Sequence, residues 1–151
     1  MKNLFLLLCL LGVVGAAAQN KKQAIIEKRA RELHRVMGLN DKEQWKTFMK
    51  ENYSKAMLER QVISNVETTE QEHANPTTTA ETTDKLEEKT KVFERLHRNF
   101  GSSKIKSLKT FDERIEMILE SSSGLKGDFN ITFESQAPYL INRIAIEIND
   151  R

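Results

Sequence analysis

The apolar residues of this chain change their period once, near Lys104, and that switch limits the fold more than any other feature. Before it, hydrophobic residues recur at helical spacing; after it, they alternate. Ile26, Ala30, Leu33 and Met37 stand at i, i+4, i+7 and i+11, the stripe of an amphipathic helix over 24–37 that Gly38 stops. Asn40, with Glu43 three residues on, reads as the cap of a second helix whose stripe is Trp45, Phe48, Met49, Ala56 and Met57, with Tyr53 on the same side. Asp84 caps a third helix, striped by Leu86, Phe93, Leu96 and Phe100 and ended by Gly101. Beyond the switch, Ile105 to Lys109 forms a short strand, and Ile115, Met117 and Leu119 mark a second. Phe129, Ile131 and Phe133 mark another, and Ile144, Ile146 and Ile148 the last. Connections rich in turn residues favour an antiparallel meander. The expected fold is therefore α+β: three N-terminal helices packed on one face of a three- to four-stranded antiparallel meander, cone-like. The polar alternates, among them Asn130, Thr132, Arg143 and Glu147, keep the other face wet or offer it to a partner.

The N-terminus sets the expected compartment. Lys2 precedes an apolar run from Leu4 to Val14, and Ala16-Ala17-Ala18 supplies the small residues of a signal peptidase site, with Gln19 the new N-terminus. The run falls short of the roughly 20 residues that span a membrane. Residues 1–18 are thus expected to be a signal peptide, and the mature chain to be secreted or periplasmic with no membrane span. The single cysteine, Cys9, lies inside this segment, so the mature chain would have no thiol for a disulfide, a nucleophile or a zinc site. Residues 19–151 make one domain, with helices 1 and 2 in 19–63 and helix 3 and the sheet in 85–151. Residues 64–84, rich in Thr and Glu, are too poor in apolar groups to offset their ordering entropy and are expected to be a disordered loop.

The chain carries 24 basic and 22 acidic residues, interleaved, which gives no nucleic-acid footprint. His34 and His97 flank helix stripes without a second ligand at i+3 or i+4, and His73 lies in the Thr-rich stretch, so no metal site is expected. Two Ser-x-x-Lys matches, Ser103 to Lys106 and Ser123 to Lys126, lack the helical setting and companion motifs of serine hydrolases. Glycines are few and scattered, which excludes a phosphate cradle and any nucleotide cofactor built on one. Carboxylate pairs such as Asp112 with Glu113, or Glu116 with Glu120, read as surface charge. No catalytic, cofactor-binding or metal-ligating residue is assigned. One group remains: Trp45, Phe48, Phe93, Phe100, Phe129, Ile131 and Phe133 face inward, either as an ordinary core or as the lining of an apolar cavity for a small ligand.

Three segments carry a resemblance. Trp45-Lys46-Thr47-Phe48-Met49-Lys50-Glu51-Asn52-Tyr53-Ser54 is similar to the second helix of small domains found in exported bacterial hydrolases, and Phe93-Glu94-Arg95-Leu96-His97-Arg98-Asn99-Phe100-Gly101 is similar to those domains as well. The ending from Ala137-Pro138-Tyr139 through Ile148 resembles their closing strand. Those domains precede beta-lactamase-like serine hydrolases or C-terminal-processing peptidases, and look like reduced members of the nuclear transport factor 2-like (cystatin-like) superfamily. The resemblance implies a non-catalytic binding or accessory domain whose partner is an exported hydrolase, another protein or a small apolar ligand. The alternative it carries is a small cavity enzyme of isomerase or cyclase type, or an apolar ligand carrier. Residues 64–84 then stand as an insertion, and Arg151 falls where a hydrolase domain would begin.

Overall fold

The computed structural model describes residues 2–60 and 82–149, with side chains from Gln19 and from Lys85 onward in the two segments. Among these residues, helices α1 (Lys2–Met37), α2 (Lys42–Asn52), α3 (Lys55–Glu59) and α4 (Thr82–Phe100) precede strands β1 (Lys104–Thr110), β2 (Arg114–Glu120), β3 (Lys126–Phe133) and β4 (Ile141–Asn149). The strands form one antiparallel sheet in the order β1-β2-β3-β4. The fold is α+β, helices first and meander second.

The alternation read from the sequence places the inward face of the sheet. Ile115, Met117, Leu119, Phe129, Ile131 and Phe133 are all buried, and the register Met117↔Phe129 and Phe129↔Ile146 lines them up across three strands. Ile26, Ala30, Leu33, Val36 and Met37 of α1, Trp45, Phe48 and Met49 of α2, and Phe93, Leu96 and Phe100 of α4 close over that face in one core. Each large side chain buried this way contributes about 1.5–3 kcal/mol of transfer free energy, most of it offset by chain entropy.

Local chemistry departs from the sequence reading at four places. The helix expected over 24–37 runs from Lys2 without a break at Ala18. The expected second helix is two. Its stripe stops at Asn52, Tyr53 turns extended and bridges Ile141, and Ser54 starts α3 by accepting from Met57 N–H at 3.1 Å. Ala56 is accordingly exposed, not in the stripe. The cap of α2 is Asp41 rather than Asn40: its carboxylate accepts from the N–H groups of Glu43 at 3.0 Å and Gln44 at 3.1 Å. And α4 begins at Thr82, so Asp84 lies within it. The expected loop at 64–84 otherwise falls outside the described residues.

The cap has a pH signature. Hydrogen bonds from Gln44, backbone and side chain, hold the Asp41 carboxyl below its ordinary 3.8 against a smaller opposing effect of desolvation. A depressed folded-state pKa stabilises the fold above the unfolded value, and that contribution disappears as pH falls through the folded value. Asp41→Asn keeps an oxygen acceptor but does not titrate. Chemical denaturation at several pH values is expected to show the variant losing less stability than the parent below about pH 3.8.

Gly38 and Gly101 end their helices for a reason other than a left-handed cap. A Cβ on Gly101 would lie 2.5 Å from His97 O and 2.8 Å from His97 Nδ1, and one on Gly38 would lie 3.1 Å from Gly101 O. The ends of α1 and α4 touch backbone to backbone there. His97 fastens the junction, its Nδ1 2.8 Å from Met37 O; a carbonyl only accepts, so this nitrogen carries the proton.

Candidate functional site

The inward residues named as a potential cavity lining sit in the core. Trp45, Phe48, Phe93, Phe100, Phe129, Ile131 and Phe133 are each 0–3 % exposed. Their rings touch: Trp45 stacks on Phe93 with centroids 6.1 Å apart, Phe48 tilts against Phe93 at 6.0 Å, and Phe100 meets Phe129 edge-on at 5.4 Å. Trp45 also donates from Nε1 to Val36 O at 3.0 Å and Leu39 O at 2.8 Å, satisfying carbonyls at the end of α1.

The polar residues fall into three settings. At one end of the molecule, Lys22 reaches the β1–β2 turn, 3.2 Å from Asp112 and 3.3 Å from Glu113, with its ammonium 5.7 Å from the centre of the Tyr139 ring. Desolvation lowers the Lys22 pKa and the two carboxylates raise it, with a net rise. Nearby, Arg29 donates to Asn52 Oδ1 and to Pro138 O, tying α1 to the end of α2 and to the β3–β4 loop. Burial pulls the Arg29 pKa down. The Asp112–Glu113 pair is thus spent on one cation. The pairing of Glu116 with Glu120 is not made either: Glu116 binds Arg114 at 2.9 Å and Glu120 binds Lys106 at 2.9 Å, the latter holding the Glu120 carboxyl below its usual range.

The second setting brings together a serine and a histidine that sequence reasoning kept apart. His34 Nε2 lies 3.2 Å from Ser103 Oγ and 3.1 Å from Ser103 O. The carbonyl can only accept, so Nε2 is the protonated nitrogen and cannot take the hydroxyl proton. The arrangement pins α1 to the start of β1; it does not activate a nucleophile. Lys106, the partner suggested by the Ser-x-x-Lys spacing, faces Glu120 instead. The other match is spent on a turn, where Ser121 Oγ accepts from Leu125 N–H at 3.0 Å and lies 2.8 Å from Ser123 Oγ. Among the described residues, no three His, Cys, Asp or Glu side chains gather as a metal site.

The third setting is the sheet face that carries no helix. Side chains alternate across a strand, so the face opposite the core presents Ser107 and Lys109 of β1, Glu116 and Ile118 of β2, Asp128 and Asn130 of β3, and Ala145 and Glu147 of β4. They line a shallow concavity of about 240 Å³. Ile118 is 36 % exposed at its middle, an apolar spot inside a ring of charges. The signal for this face was present in the sequence as the polar partners of the alternating strands; its concavity was not, since that depends on how the sheet curves.

No family model, curated protein or solved structure matches this chain. The concave face mixes three carboxylates, a lysine, two neutral polar groups, one isoleucine and one alanine, on paired strands and open to solvent. Groups so arranged can offer charges and hydrogen bonds to a polar surface laid against them. Among the described residues, no helix is long and apolar enough to cross a membrane.

Proposed function

We propose that this chain is a secreted, non-catalytic binding or accessory domain that meets an exported hydrolase through the helix-free face of its sheet. The observation that carries the reading is the one-sided architecture: helices bury one face, and the other is left as a charged concavity around Ile118. A face of this kind resembles the surfaces of non-obligate interfaces, an apolar spot within a polar rim. The class of partner comes from the resemblance to nuclear transport factor 2-like domains that precede serine hydrolases and processing peptidases. The apolar run before Ala18 supports export, and the mutual contacts of Trp45, Phe93, Phe100 and Phe129 favour a filled interior over a ligand chamber.

The test is a site-specific photo-crosslink. A photoreactive residue at Asn130, on the concave face, is expected to capture a purified exported serine hydrolase or processing peptidase from the same cell. The same probe at exposed Arg35, on α1, is expected not to. Reversing Asp128 and Glu147 together (Asp128→Lys, Glu147→Lys) should reduce the Asn130 adduct at least about tenfold, since like charge at an interface costs several kcal/mol. Equal capture from Asn130 and Arg35, or an adduct indifferent to the reversal, would sink the proposal.

A further inference from the structure

The two edges of the sheet are built differently, and the β4 edge borders the concave face, which Ala145 and Glu147 also line. On the β1 edge stand Lys104, Lys106 and Lys109, and the register shifts between Ile105 and Ser107, a bulge. Lysines and a bulge are the usual defences of an edge against further strands. The β4 edge has neither along its main run. Tyr53 and Ser54 cover its start, where Ser54 N–H donates to Ile141 O at 2.9 Å, and a second register shift lies between Thr132 and Phe133. From Arg143 to Asn149 the strand is regular.

The direction of its free amides follows from the neighbouring hydrogen bonds. Phe133 N–H donates toward β2, to Glu113 O at 2.9 Å, and Glu134 N–H toward β4, to Leu140 O at 2.8 Å. Alternate residues of β3 therefore face β2 and β4. Carried along the register Thr132↔Arg143, Asn130↔Ala145 and Asp128↔Glu147, this uses the amides of Arg143, Ala145 and Glu147 in the sheet. The N–H and C=O groups of Ile144, Ile146 and Ile148 point off the edge. Their side chains lie on the core face, Ile144 and Ile146 half-buried and Ile148 49 % exposed.

We propose that this edge pairs with β4 of a second copy of the chain, antiparallel and centred on Ala145, to give a two-fold dimer with an eight-stranded sheet. In that register Ile144 exchanges both backbone hydrogen bonds with Ile146 of the second copy, and the symmetry repeats the pair. On the open face Arg143 comes opposite Glu147 of the second copy, in a non-hydrogen-bonded position where side chains stand closest. The charge pattern selects this occupant. Within one chain Glu147 lies opposite Asp128, two carboxylates side by side, and Arg143 lies opposite uncharged Thr132. The strand supplies to its own copy the cation that Glu147 lacks across the sheet.

Sedimentation velocity on the full chain tests this through a charge exchange. The parent is expected to show a monomer–dimer equilibrium within a range reaching about 0.5 mM. Arg143→Glu sets like charges opposite each other twice per dimer and should weaken association about tenfold or more. The double variant Arg143→Glu, Glu147→Arg restores opposite charges and should return the dimer constant to within about threefold of the parent. Ile146→Pro removes an N–H that β3 does not use, and is expected to abolish the dimer while the far-ultraviolet circular dichroism stays unchanged. A parent that stays monomeric throughout, a dimer unchanged by Arg143→Glu, or one weakened by it and not restored by the exchange would overturn the proposal; should Ile146→Pro unfold the chain, the charge exchange decides alone.

Discussion

Gly127→Ala is expected to destabilise the fold by about 2 kcal/mol, and Gly127→Val by about 3 kcal/mol or more. The sign is what makes the experiment informative. In a strand interior glycine is inferior to alanine by roughly 0.5–1 kcal/mol on backbone entropy alone, so an unobstructed replacement would stabilise. Here an added Cβ would stand 2.5 Å from Phe100 Cζ and 2.9 Å from Phe129 Cε2. The Phe100 ring lies over the bare backbone of β3 and meets Phe129 edge-on, with both residues buried. Neither ring can retreat without opening the junction of α4 with the sheet. Urea denaturation followed by circular dichroism measures the change. The double variant Gly127→Ala, Phe100→Leu is expected to be less destabilised than the sum of its parts by about 1–2 kcal/mol, because both changes act on one contact. A Gly127→Ala variant more stable than the parent would show that the ring is not held where the structure puts it.

Trp45→Ala carries the other large effect, a loss of about 3–5 kcal/mol. That is a large share of the roughly 5–15 kcal/mol by which a domain of this kind is stable, so the variant is expected to be partly unfolded at 37 °C. Two losses combine. The ring fills the space between α1, α2 and α4, stacked on Phe93 and tilted at 5.7 Å against His97. Its Nε1–H also donates to Leu39 O just past the end of α1, and to Val36 O, which accepts from Leu39 N–H as well. Trp45→Phe separates the two terms. It keeps much of the apolar volume but leaves both carbonyls without this donor, at a cost of about 1–3 kcal/mol. Thermal melts by circular dichroism should therefore rank parent above Trp45→Phe above Trp45→Ala. A Trp45→Phe variant melting with the parent would mean that the hydrogen bonds contribute nothing, and equal melting of the two variants that the retained ring volume contributes nothing.

The core residues involved were legible because helical and alternating periods report which side of an element is apolar. Phe93, Phe100, Phe129 and Phe133 were placed inward on that ground, and they are buried. The capping residue of α2 was missed by one position although its signal was there: Asp41 is followed three residues later by Gln44, whose Nε2 returns to Asp41 Oδ2 at 3.0 Å. The break at Tyr53 had a weaker signal, a serine able to cap. It was overridden because Tyr53 and Met57 continue the stripe of Trp45 and Met49. Tyr53 is indeed buried, but as an extended residue beside β4, where desolvation raises its phenol pKa.

The histidines and carboxylates mark the limit of such reading. His34 and His97 looked like boundary residues of amphipathic helices, and both prove to be fasteners, one to Ser103 and one to Met37. Asp112 and Glu113 looked like unengaged surface charge, and they share Lys22 from the far end of the chain in sequence. Sequence alone determined the class of the longer elements, the face most of them bury and the order of helices before meander, because those depend on residues within a few positions of one another. The tertiary structure decided which glycines must stay bare, which nitrogen of a histidine holds its proton, which carboxylate meets which cation and which sheet edge stands open. Those depend on where distant segments come to rest, and short-range periodicity carries no information about that.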